Sequence, residues 1–274
     1  MNQSAQEPSS QTRSKTQFEK LVDKFFELIG DVENPISPGP KEEILSGNLK
    51  TGYSVNLPIA LTCRPTKICM NNCYASRPGA TLTWKNSLLK QLRVYNYIRS
   101  EDPEVVAQRI INEYHKKRLN WLRWNGCGDL FPEAIEVINK ICVLDPTVIL
   151  LVVTRKPEMA AMISRTPNMF LMFSVDASSR RRMEAIQAAD HPRLYYSFLR
   201  TSADEDTTGC NIIFDLQKLK GSLPYEPRCC PVDAHKLPLE NGCNVCKRCF
   251  SERVLSGNIE SESWEQYKEG NLEG

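Results

Sequence analysis

The first pattern along the chain is an apolar stripe near its start that repeats every three or four residues. The residues of this stripe are Phe18, Leu21, Val22, Phe25 and Leu28. That spacing places them on one face of a helix. Thr16 followed by Glu19 forms a capping box that predicts where the helix begins, and Gly30 predicts where it ends.

From about residue 53 onward, short and nearly continuous apolar runs alternate with helical segments. The runs predict strands at Ser54–Leu61, Trp121–Asn125, Val148–Val153, Phe170–Val175, Leu194–Leu199 and Asn211–Phe214. The segments between them predict helices at roughly 83–99, 103–119, 131–143, 156–164 and 178–189. Alternation of this kind is typical of parallel sheets with helical crossovers. We therefore expect an α/β fold, namely a partial (β/α) barrel of about six parallel strands.

These patterns divide the chain into four parts. Residues 1–14 are polar and predict a disordered tail. Residues 15–50 hold the N-terminal helix and a linker with three prolines between Asn34 and Pro40. Residues 51–220 form the predicted barrel, and residues 221–274 form a cysteine-rich tail that we expect to bind metal.

The composition is that of an ordinary globular protein, with 41% hydrophobic and 25% charged residues among 274. The formal net charge of +2 gives no general attraction to nucleic acid or to anionic membranes. No apolar stretch approaches the ~20 residues that cross a bilayer. The N-terminal segment MNQSAQEPSSQTRSKTQ has no apolar run of the kind that directs secretion. We therefore expect a cytoplasmic protein without membrane contact.

Cysteine is the unusual residue in this composition, with 11 in the chain. In a reducing cytosol, clustered cysteines are better explained by metal binding or catalysis than by disulfides. Cys63, Cys69 and Cys73 follow directly after the first predicted strand. Three thiolates on one loop suit a 4Fe-4S cluster that leaves one iron open for a small molecule. The alternatives are a zinc site with three thiolates and an outside ligand, and three buried cysteines that act as small hydrophobes.

Further polar residues follow the ends of the later predicted strands. They are Gly126, Cys127, Gly128 and Asp129 after the second strand, Arg155 after the third, Asp176 after the fourth and Arg200 after the fifth. Because the carboxyl ends of parallel strands meet at one edge, this placement predicts a single active site. A local explanation of the second group stays open, since Gly-x-Gly is common in turns and Asp129 would cap a helix that starts near Pro132.

The cysteines after the first strand, the last of them followed by Tyr74, resemble the radical S-adenosylmethionine (SAM) superfamily. The resemblance covers roughly residues 50–215, and the chain has C-x5-C-x3-C where that superfamily usually has C-x3-C-x2-C. It implies that Cys63, Cys69 and Cys73 hold a 4Fe-4S cluster and that SAM binds its open iron. It also implies a SAM pocket, with Tyr74 near adenine, Ser174 and Asp176 near the ribose, and Gly126, Cys127, Gly128 and Asp129 near the methionine amine.

By the same resemblance, the expected activity is reductive cleavage of SAM. This reaction would start radical chemistry on an unknown substrate and would require an external electron donor. More narrowly, the whole chain resembles the phage-encoded gene product eighty-eight family. That family combines a cysteine cluster ending in Cys-Tyr-Ala with a C-terminal cysteine knuckle.

The C-terminal tail carries a second group of cysteines. Two C-x2-C steps follow a distant Cys-Pro, which resembles the ligation of iron–sulfur clusters in ferredoxins. The predicted ligands are Cys230, Cys243, Cys246 and Cys249. Cys229 or His235 could replace one of them, and zinc is the alternative metal. Either metal would stabilise a tail that has little apolar content, because its binding free energy is also folding free energy.

Two other classes of function stay open. One is a non-catalytic zinc or iron–sulfur module that binds nucleic acid or protein, for which Tyr114–Arg118 and Arg180–Arg182 are basic candidate segments. Such runs are, however, most often solvated faces of helices. The other is an iron–sulfur protein that keeps the barrel and does not cleave SAM. Cys142 and Cys210 are predicted to be core residues.

Overall fold

A seven-stranded sheet forms the centre of the fold, and its strands lie side by side in chain order. The strands are β1 (Ser46–Asn48), β2 (Gly52–Val55), β3 (Leu122–Trp124), β4 (Leu150–Thr154), β5 (Met169–Val175), β6 (Leu194–Arg200) and β7 (Ile212–Asp215). The first two strands pair antiparallel, and every later neighbouring pair is parallel. The sequence-based expectation of a mostly parallel α/β sheet is therefore confirmed.

Helices precede the sheet, connect its parallel strands and follow its last strand. They are α1 (Gln17–Gly30), α2 (Ile59–Thr62), α3 (Lys67–Asn72), α4 (Trp84–Ser100), α5 (Pro103–Lys116), α6 (Pro132–Leu144), α7 (Pro157–Ala160), α8 (Arg182–Gln187) and α9 (Gly242–Cys246). The computed structural model describes residues 14–30, 38–39, 41–76, 84–187, 193–216, 222–223, 226, 228–231, 242–246 and 249. Among the helices of these residues, none has both the length and the apolar character that crossing a bilayer requires.

The starts of two helices follow directly from side-chain caps in the sequence. The backbone N–H of Thr16 donates to Glu19 Oε2 at 2.7 Å, and that of Glu19 donates to Thr16 Oγ1 at 3.2 Å. This confirms the capping box at the start of α1. Asp102 caps α5 by accepting from the backbone N–H of Glu104, and Pro103 occupies the first helical position, where no N–H is needed.

The two faces of the sheet have different partners because successive residues of a strand point to opposite sides. Leu122 and Trp124 of β3 belong to the large core that the sheet shares with α5 and α6. Trp124 is among the largest fully buried side chains. The opposite face carries a second apolar cluster, composed of Trp121, Leu151, Phe170, Met172, Tyr195, Ile212 and Cys246. A sheet with both faces apolar explains why its strands read as continuous hydrophobic runs.

Several boundaries differ from the sequence-based expectation. The first predicted strand ends at Val55 rather than Leu61, because the chain turns into α2 directly after Pro58. β1 was not predicted, since Ser46–Asn48 is a short and largely exposed edge strand without an apolar signal. The predicted helix at 156–164 is shorter, as α7. The helix predicted at 178–189 begins later, at Arg182 of α8, and residues 188–189 lie outside the described part of the chain. Residues 1–13, His235 and most of the predicted tail at 221–274 lie outside the described residues.

Candidate metal and cofactor site

The first cysteine group lies on the segment that follows β2, the first of the parallel strands. Cys63 ends α2, and its backbone N–H donates to the carbonyl oxygen of Ile59 at 3.1 Å. Thr66 caps α3, and its Oγ1 accepts from the backbone N–H of Cys69 at 3.0 Å. Cys73 ends α3. Two short helices with defined caps therefore set the backbone positions of all three cysteines.

Three cysteines pack into one apolar cluster beneath the N-terminal helix. Cys63, Cys73 and Cys127 pack against a cluster formed by Phe18 and Leu21 of α1 and Ile59 of α2. Burial raises the pKa of the Cys63 thiol well above its ordinary value, and negative charge on Asp129, Cys73, Cys69 or Cys127 would raise it further. Such mutual influence indicates that these thiols are close enough to act on one another electrostatically.

Cys69 has a different charge environment from Cys63. Burial again raises its pKa, whereas the positive charge of Arg155 lowers it. Arg155 follows β4, so a residue from a neighbouring strand end faces the cysteine segment. A positive charge beside thiols favours their ionised form, which is the form that binds metal.

Cys127 is held by a tight backbone turn after β3. Its backbone N–H donates to Asn56 Oδ1 at 3.2 Å, and its carbonyl oxygen accepts from the backbone N–H of Leu57 at 3.0 Å. Burial raises the pKa of the Cys127 thiol to about 12. A Cβ on Gly126 would lie 2.2 Å from Asn56 Oδ1, and one on Gly128 would lie 2.6 Å from Leu57 Cβ. The two glycines therefore permit the close approach that brings Cys127 to the first cysteine group.

Asp129 is a buried carboxyl group that the surrounding loop already holds. Its Oδ1 accepts from Thr154 Oγ1 at 2.6 Å and from the backbone N–H of Leu130 at 2.8 Å. Its Oδ2 accepts from the backbone N–H of Arg155 at 3.3 Å. Burial raises the pKa of Asp129, and the hydrogen bonds from Thr154 and Leu130 oppose that rise. Asp129 thus fastens the turn after β3 to the end of β4.

Asp176 connects the first cysteine segment to the ends of two further strands. It forms a buried ion pair with Arg155, and its Oδ2 accepts from Thr66 Oγ1 at 2.5 Å. Burial alone would raise the pKa of Asp176, but hydrogen bonds from Ser178 and Thr66 and the charge of Arg155 lower it overall. Because Thr66 also caps the helix that carries Cys69, Asp176 acts as a positioning residue for that thiol.

Several buried polar atoms near these strand ends have no hydrogen-bond partner. Among the described residues they include Arg123 Nε, Arg155 Nε and Asn125 Oδ1. Buried polar groups are normally paired, so atoms of this kind mark places where a bound group could supply the partner. The sequence-based prediction did not include Arg123 among the candidate site residues. Its position between inward-packed Leu122 and Trp124 is the signal that places it on the opposite face of the sheet.

Tyr74 and Ser174 are the remaining predicted cofactor contacts. Tyr74, which follows the cysteine segment, is 58% exposed. Ser174 lies near the end of β5, where its Oγ shares a hydrogen bond with Ser197 Oγ at 2.7 Å. Within the part of the chain that the structure describes, no three or more His, Cys, Asp or Glu side chains are arranged so that they could hold a metal ion.

The sequence match to a known family covers the segments described above. A family model described as gene product 88 matches residues 32–252. The chain belongs to the gene product 88 family. The matched range includes the whole sheet and both cysteine groups. Neither the curated proteins nor the solved structures include a match to the chain.

In this gene product 88 family member, the second cysteine group lines one cavity on the face of the sheet that carries the second apolar cluster. Its four predicted ligands are Cys230, Cys243, Cys246 and Cys249. Sheet residues that form the floor of the cavity include Trp121, Arg123, Leu151, Val153 and Met172. Burial raises the pKa of the Cys249 thiol well above its ordinary value, and charge on the other three cysteines raises it further. The four cysteines therefore line a common cavity, although they are not arranged around one point as the ligands of a bound metal would be.

Cys229 belongs to a different network from this cavity. Arg200 Nη2 lies 3.4 Å from Cys229 Sγ, and the same guanidinium pairs with Asp215 at 2.6 Å and with Glu226 at 2.8 Å. Arg200, which the sequence grouped with the active-site residues, is thus part of a buried ion network beside β6 and β7. Cys229 is therefore less suitable as a substitute ligand in the second metal site than its position beside Cys230 in the sequence indicated.

The remaining candidates have structural roles. Cys142 and Cys210 are buried in the main core. In the basic segments, Lys117 pairs with Glu43 at 2.7 Å and Arg180 pairs with Asp206 at 2.8 Å. These ion pairs neutralise part of the positive charge that a nucleic-acid-binding surface at these segments would need.

Proposed function

We propose that this gene product 88 family chain is a radical-SAM-like iron–sulfur enzyme whose 4Fe-4S cluster is held by Cys63, Cys69 and Cys73. The observation that carries this proposal is that all three cysteines lie on the segment directly after the first parallel strand, where negative charge on one thiol would raise the pKa of another. Cys127 lies beside Cys63 and Cys73, and the charge of Arg155 acts on Cys69. A three-thiolate segment at this position is the arrangement on which radical-SAM enzymes depend.

We infer further that the sheet is an incompletely closed barrel. Six strands, β2 to β7, run parallel and in chain order, which is the topology of a (β/α) barrel. One face of the sheet packs against helices, whereas the other carries a separate apolar cluster with the C-terminal cysteines. The first cysteine segment follows β2, at the carboxyl ends of the strands, where such folds carry their chemistry.

The residues present fit an iron–sulfur cluster in their chemistry. Thiolates are the usual ligands of such clusters. The Nε atom of Arg155 is buried without a partner and is a donor that an anionic group could engage. Cys63 and Cys73 pack against the apolar cluster of Phe18, Leu21 and Ile59, which would limit the access of water and oxygen from that side. When bound, a reduced cluster of this kind supplies one electron for cleavage of SAM.

The same strand ends would hold SAM. By resemblance, Gly126, Cys127, Gly128 and Asp129 would lie near the methionine amine, for which the unpartnered Asn125 Oδ1 is a further acceptor. By the same resemblance, Ser174 and Asp176 would lie near the ribose, and Tyr74 would lie near the adenine. Thr154 holds the carboxylate of Asp129, and Arg155 holds that of Asp176. The proposed role of both carboxylates is therefore to orient the cofactor.

The C-terminal group would hold a second metal centre, either an auxiliary 4Fe-4S cluster or zinc. Cys230, Cys243, Cys246 and Cys249 are its proposed ligands, and all four line one cavity. Full ligation by four thiolates leaves no open position, so this centre would serve electron transfer or structure. An external electron donor is required in either case.

One observation favours a second candidate function, an iron–sulfur protein that does not cleave SAM. Cys127 packs in the same cluster as Cys63 and Cys73. A fourth thiolate at this place would occupy the iron that SAM requires. The protein would then carry electrons without radical chemistry.

Anaerobic reconstitution with iron and sulfide tests the proposal. The wild-type chain, Cys69→Ala and the matched control Cys142→Ala should be compared by iron, sulfide and zinc content per chain. We expect Cys69→Ala to lose about four iron and four sulfide relative to the wild type, and Cys142→Ala to lose none. After chemical reduction with SAM, formation of 5′-deoxyadenosine should follow the iron content.

Three outcomes would contradict the proposal in different ways. A chain that takes up zinc only, and never a four-iron cluster, would favour the non-catalytic metal module. A chain with an intact cluster that neither binds SAM nor forms 5′-deoxyadenosine would favour the second candidate. Loss of both metal centres on the substitution Cys69→Ala would contradict their independence.

A further inference from the structure

The C-terminal cysteines attach to the last strand of the sheet on one side. The backbone N–H of Ile213 in β7 donates to the carbonyl oxygen of Arg228 at 2.9 Å. The backbone N–H of Cys230 donates back to the carbonyl oxygen of Ile213 at 2.8 Å. Ile213 and Cys229 form a parallel bridge. Residues 228–230 therefore follow the free edge of β7 and fix the position of Cys230.

The same group of cysteines attaches to the first strands on the other side. The turn between β1 and β2 includes Lys50, and its carbonyl oxygen accepts from the backbone N–H of Cys243 at 3.1 Å. Cys243 is in α9, which also carries Cys246. The helix with two of the four cysteines is thus joined to the opposite end of the strand order from β7.

One cavity contains residues from both of these edges. Lys50 and Thr51 line it from the β1–β2 turn, and Ile212 and Phe214 line it from β7. The four cysteines line the same cavity, together with Arg123 from β3. The strands that are furthest apart in the order of the sheet are therefore brought together around the cysteine side chains.

We propose that a metal draws Cys230, Cys243, Cys246 and Cys249 together from the walls of this cavity into a thiolate-bound centre that fastens the two edges of the sheet to each other. This inference rests on the second metal centre of the proposed function and assigns it a structural task. Cys230 would anchor the metal to β7, and Cys243 and Cys246 would anchor it to the β1–β2 turn. The occupant is a thiophilic centre, either a zinc ion or a 4Fe-4S cluster.

The charge in the cavity suits such a centre. A divalent ion with four thiolates is a dianion, and a guanidinium nearby would offset its charge. Arg123 lines the cavity, and its Nε is buried without a partner. For a zinc ion, the thiols release their protons to solvent when the metal binds, and no other reactant is needed. A 4Fe-4S cluster would require inorganic sulfide in addition to iron.

The energy of such a centre is large enough for this task. The binding free energy of a structural metal site is also folding free energy, and many small domains that depend on such a site unfold without their metal. The edges of an open sheet are otherwise held by few contacts, and their local opening is the first motion expected. A metal that bridges both edges would therefore stabilise both of them against local opening.

Hydrogen exchange on the full-length protein tests the proposal. Metal-loaded wild type should be compared with the same protein after its metal is removed by a thiol-reactive mercurial and chelator and the thiols are restored with reductant. We expect exchange at 46–55 and at 212–215 to accelerate together by about tenfold or more. Exchange at 150–154 and 169–175, in the middle of the sheet, should change far less. Release of zinc or of iron and sulfide during treatment identifies the occupant.

Single substitutions separate this inference from the proposed catalytic cluster. Cys246→Ser should lose the second centre and loosen both edges, whereas Cys69→Ala should leave both edges protected, with Cys142→Ala as the matched control. If Cys246→Ser does not fold, chelation of the Cys69→Ala variant, which lacks the first cluster, gives the same comparison. A wild-type chain without a second metal, or metal loss that loosens only residues 242–249 or one edge alone, would overturn the proposal.

Discussion

The ammonium nitrogen of Lys50 lies 5.5 Å from the centre of the Phe214 ring. Lys50 belongs to the turn between β1 and β2, and Phe214 belongs to β7. This contact joins the two ends of the strand order through side chains, independently of the cysteines. A cation above an aromatic face is attracted by the ring's quadrupole.

Replacement of Lys50 by methionine tests this contact. The substitution keeps the unbranched apolar stem and removes the charge, so we expect the free energy of unfolding to fall by about 0.5–1 kcal/mol. Equilibrium denaturation in urea measures this loss. Lys85→Met, at an exposed position of α4, is the control and should have little effect. An equal change in both variants would show that the Phe214 contact contributes nothing.

Gly128→Ala should be strongly destabilising for two separable reasons. Gly128 has φ of +82°, and a Cβ there would lie 2.6 Å from both the Cβ and the carbonyl oxygen of Leu57. Left-handed backbone costs a residue with a Cβ about 1–2 kcal/mol, and overpacking adds about 1–3 kcal/mol. The free energy of unfolding should therefore fall by about 2–5 kcal/mol.

Two control glycines separate these contributions. Gly209 has φ of +77° with only Met183 Cε at 3.6 Å, so Gly209→Ala should show the backbone cost alone. Gly47 has neither strain nor close contact, and Gly47→Ala should change stability little. If Gly128→Ala costs no more than Gly209→Ala, the close approach of Leu57 does not restrict the turn that carries Cys127.

The order of strands and helices was readable from the sequence because the strands are apolar on both faces. Runs such as Met169–Val175 and Leu194–Arg200 have few polar interruptions, and both matched the prediction closely. β1 gave no such signal, since Ser46–Asn48 is held by its pairing with β2 rather than by burial. The extent of the first strand was overestimated because an apolar run alone does not distinguish a strand from the short helix α2.

The sequence predicted those parts of the candidate site that depend on local spacing or on the ends of strands. The cysteine segment and Gly126–Asp129 were identifiable because each follows a predicted strand. The contact of Thr66 with Asp176 was not, since these residues are 110 positions apart in the chain. The separate location of Cys229 beside Arg200 was also hidden, because adjacent cysteines in a sequence can point to opposite sides of an extended segment.

Stability should depend on pH through Asp176. The folded pKa of Asp176 is lowered because hydrogen bonds from Ser178 and Thr66 and the charge of Arg155 outweigh burial. The carboxylate therefore stabilises the fold above its unfolded pKa of about 3.9, and this contribution is lost as pH falls through the lower folded pKa. Removing one partner of a buried ion pair costs about 3–5 kcal/mol, so Asp176→Asn should be strongly destabilising at pH 7.

Urea denaturation between pH 7 and pH 3 tests this dependence. The difference in unfolding free energy between wild type and Asp176→Asn should be largest at pH 7 and should shrink below about pH 4. Ser178→Ala removes one hydrogen bond to Asp176 and keeps the ion pair with Arg155. It should show a smaller loss of about 1 kcal/mol with the same direction of pH dependence. Parallel curves for wild type and Asp176→Asn would contradict this account of the carboxylate.

Cys127→Ala distinguishes the two candidate functions, because Cys127 is either a neighbour of the cluster or its fourth ligand. If Cys63, Cys69 and Cys73 alone hold the cluster, Cys127→Ala should retain the wild-type iron and sulfide, and SAM should still alter the electron paramagnetic resonance spectrum of the reduced protein. If Cys127 is a ligand, the wild-type spectrum should not respond to SAM, whereas the variant should lose iron or acquire a response. Cys127 packs against apolar neighbours with its thiol pKa raised to about 12 by burial, and alanine keeps that apolar contact. The fold should therefore persist, so a changed spectrum would report ligation rather than unfolding.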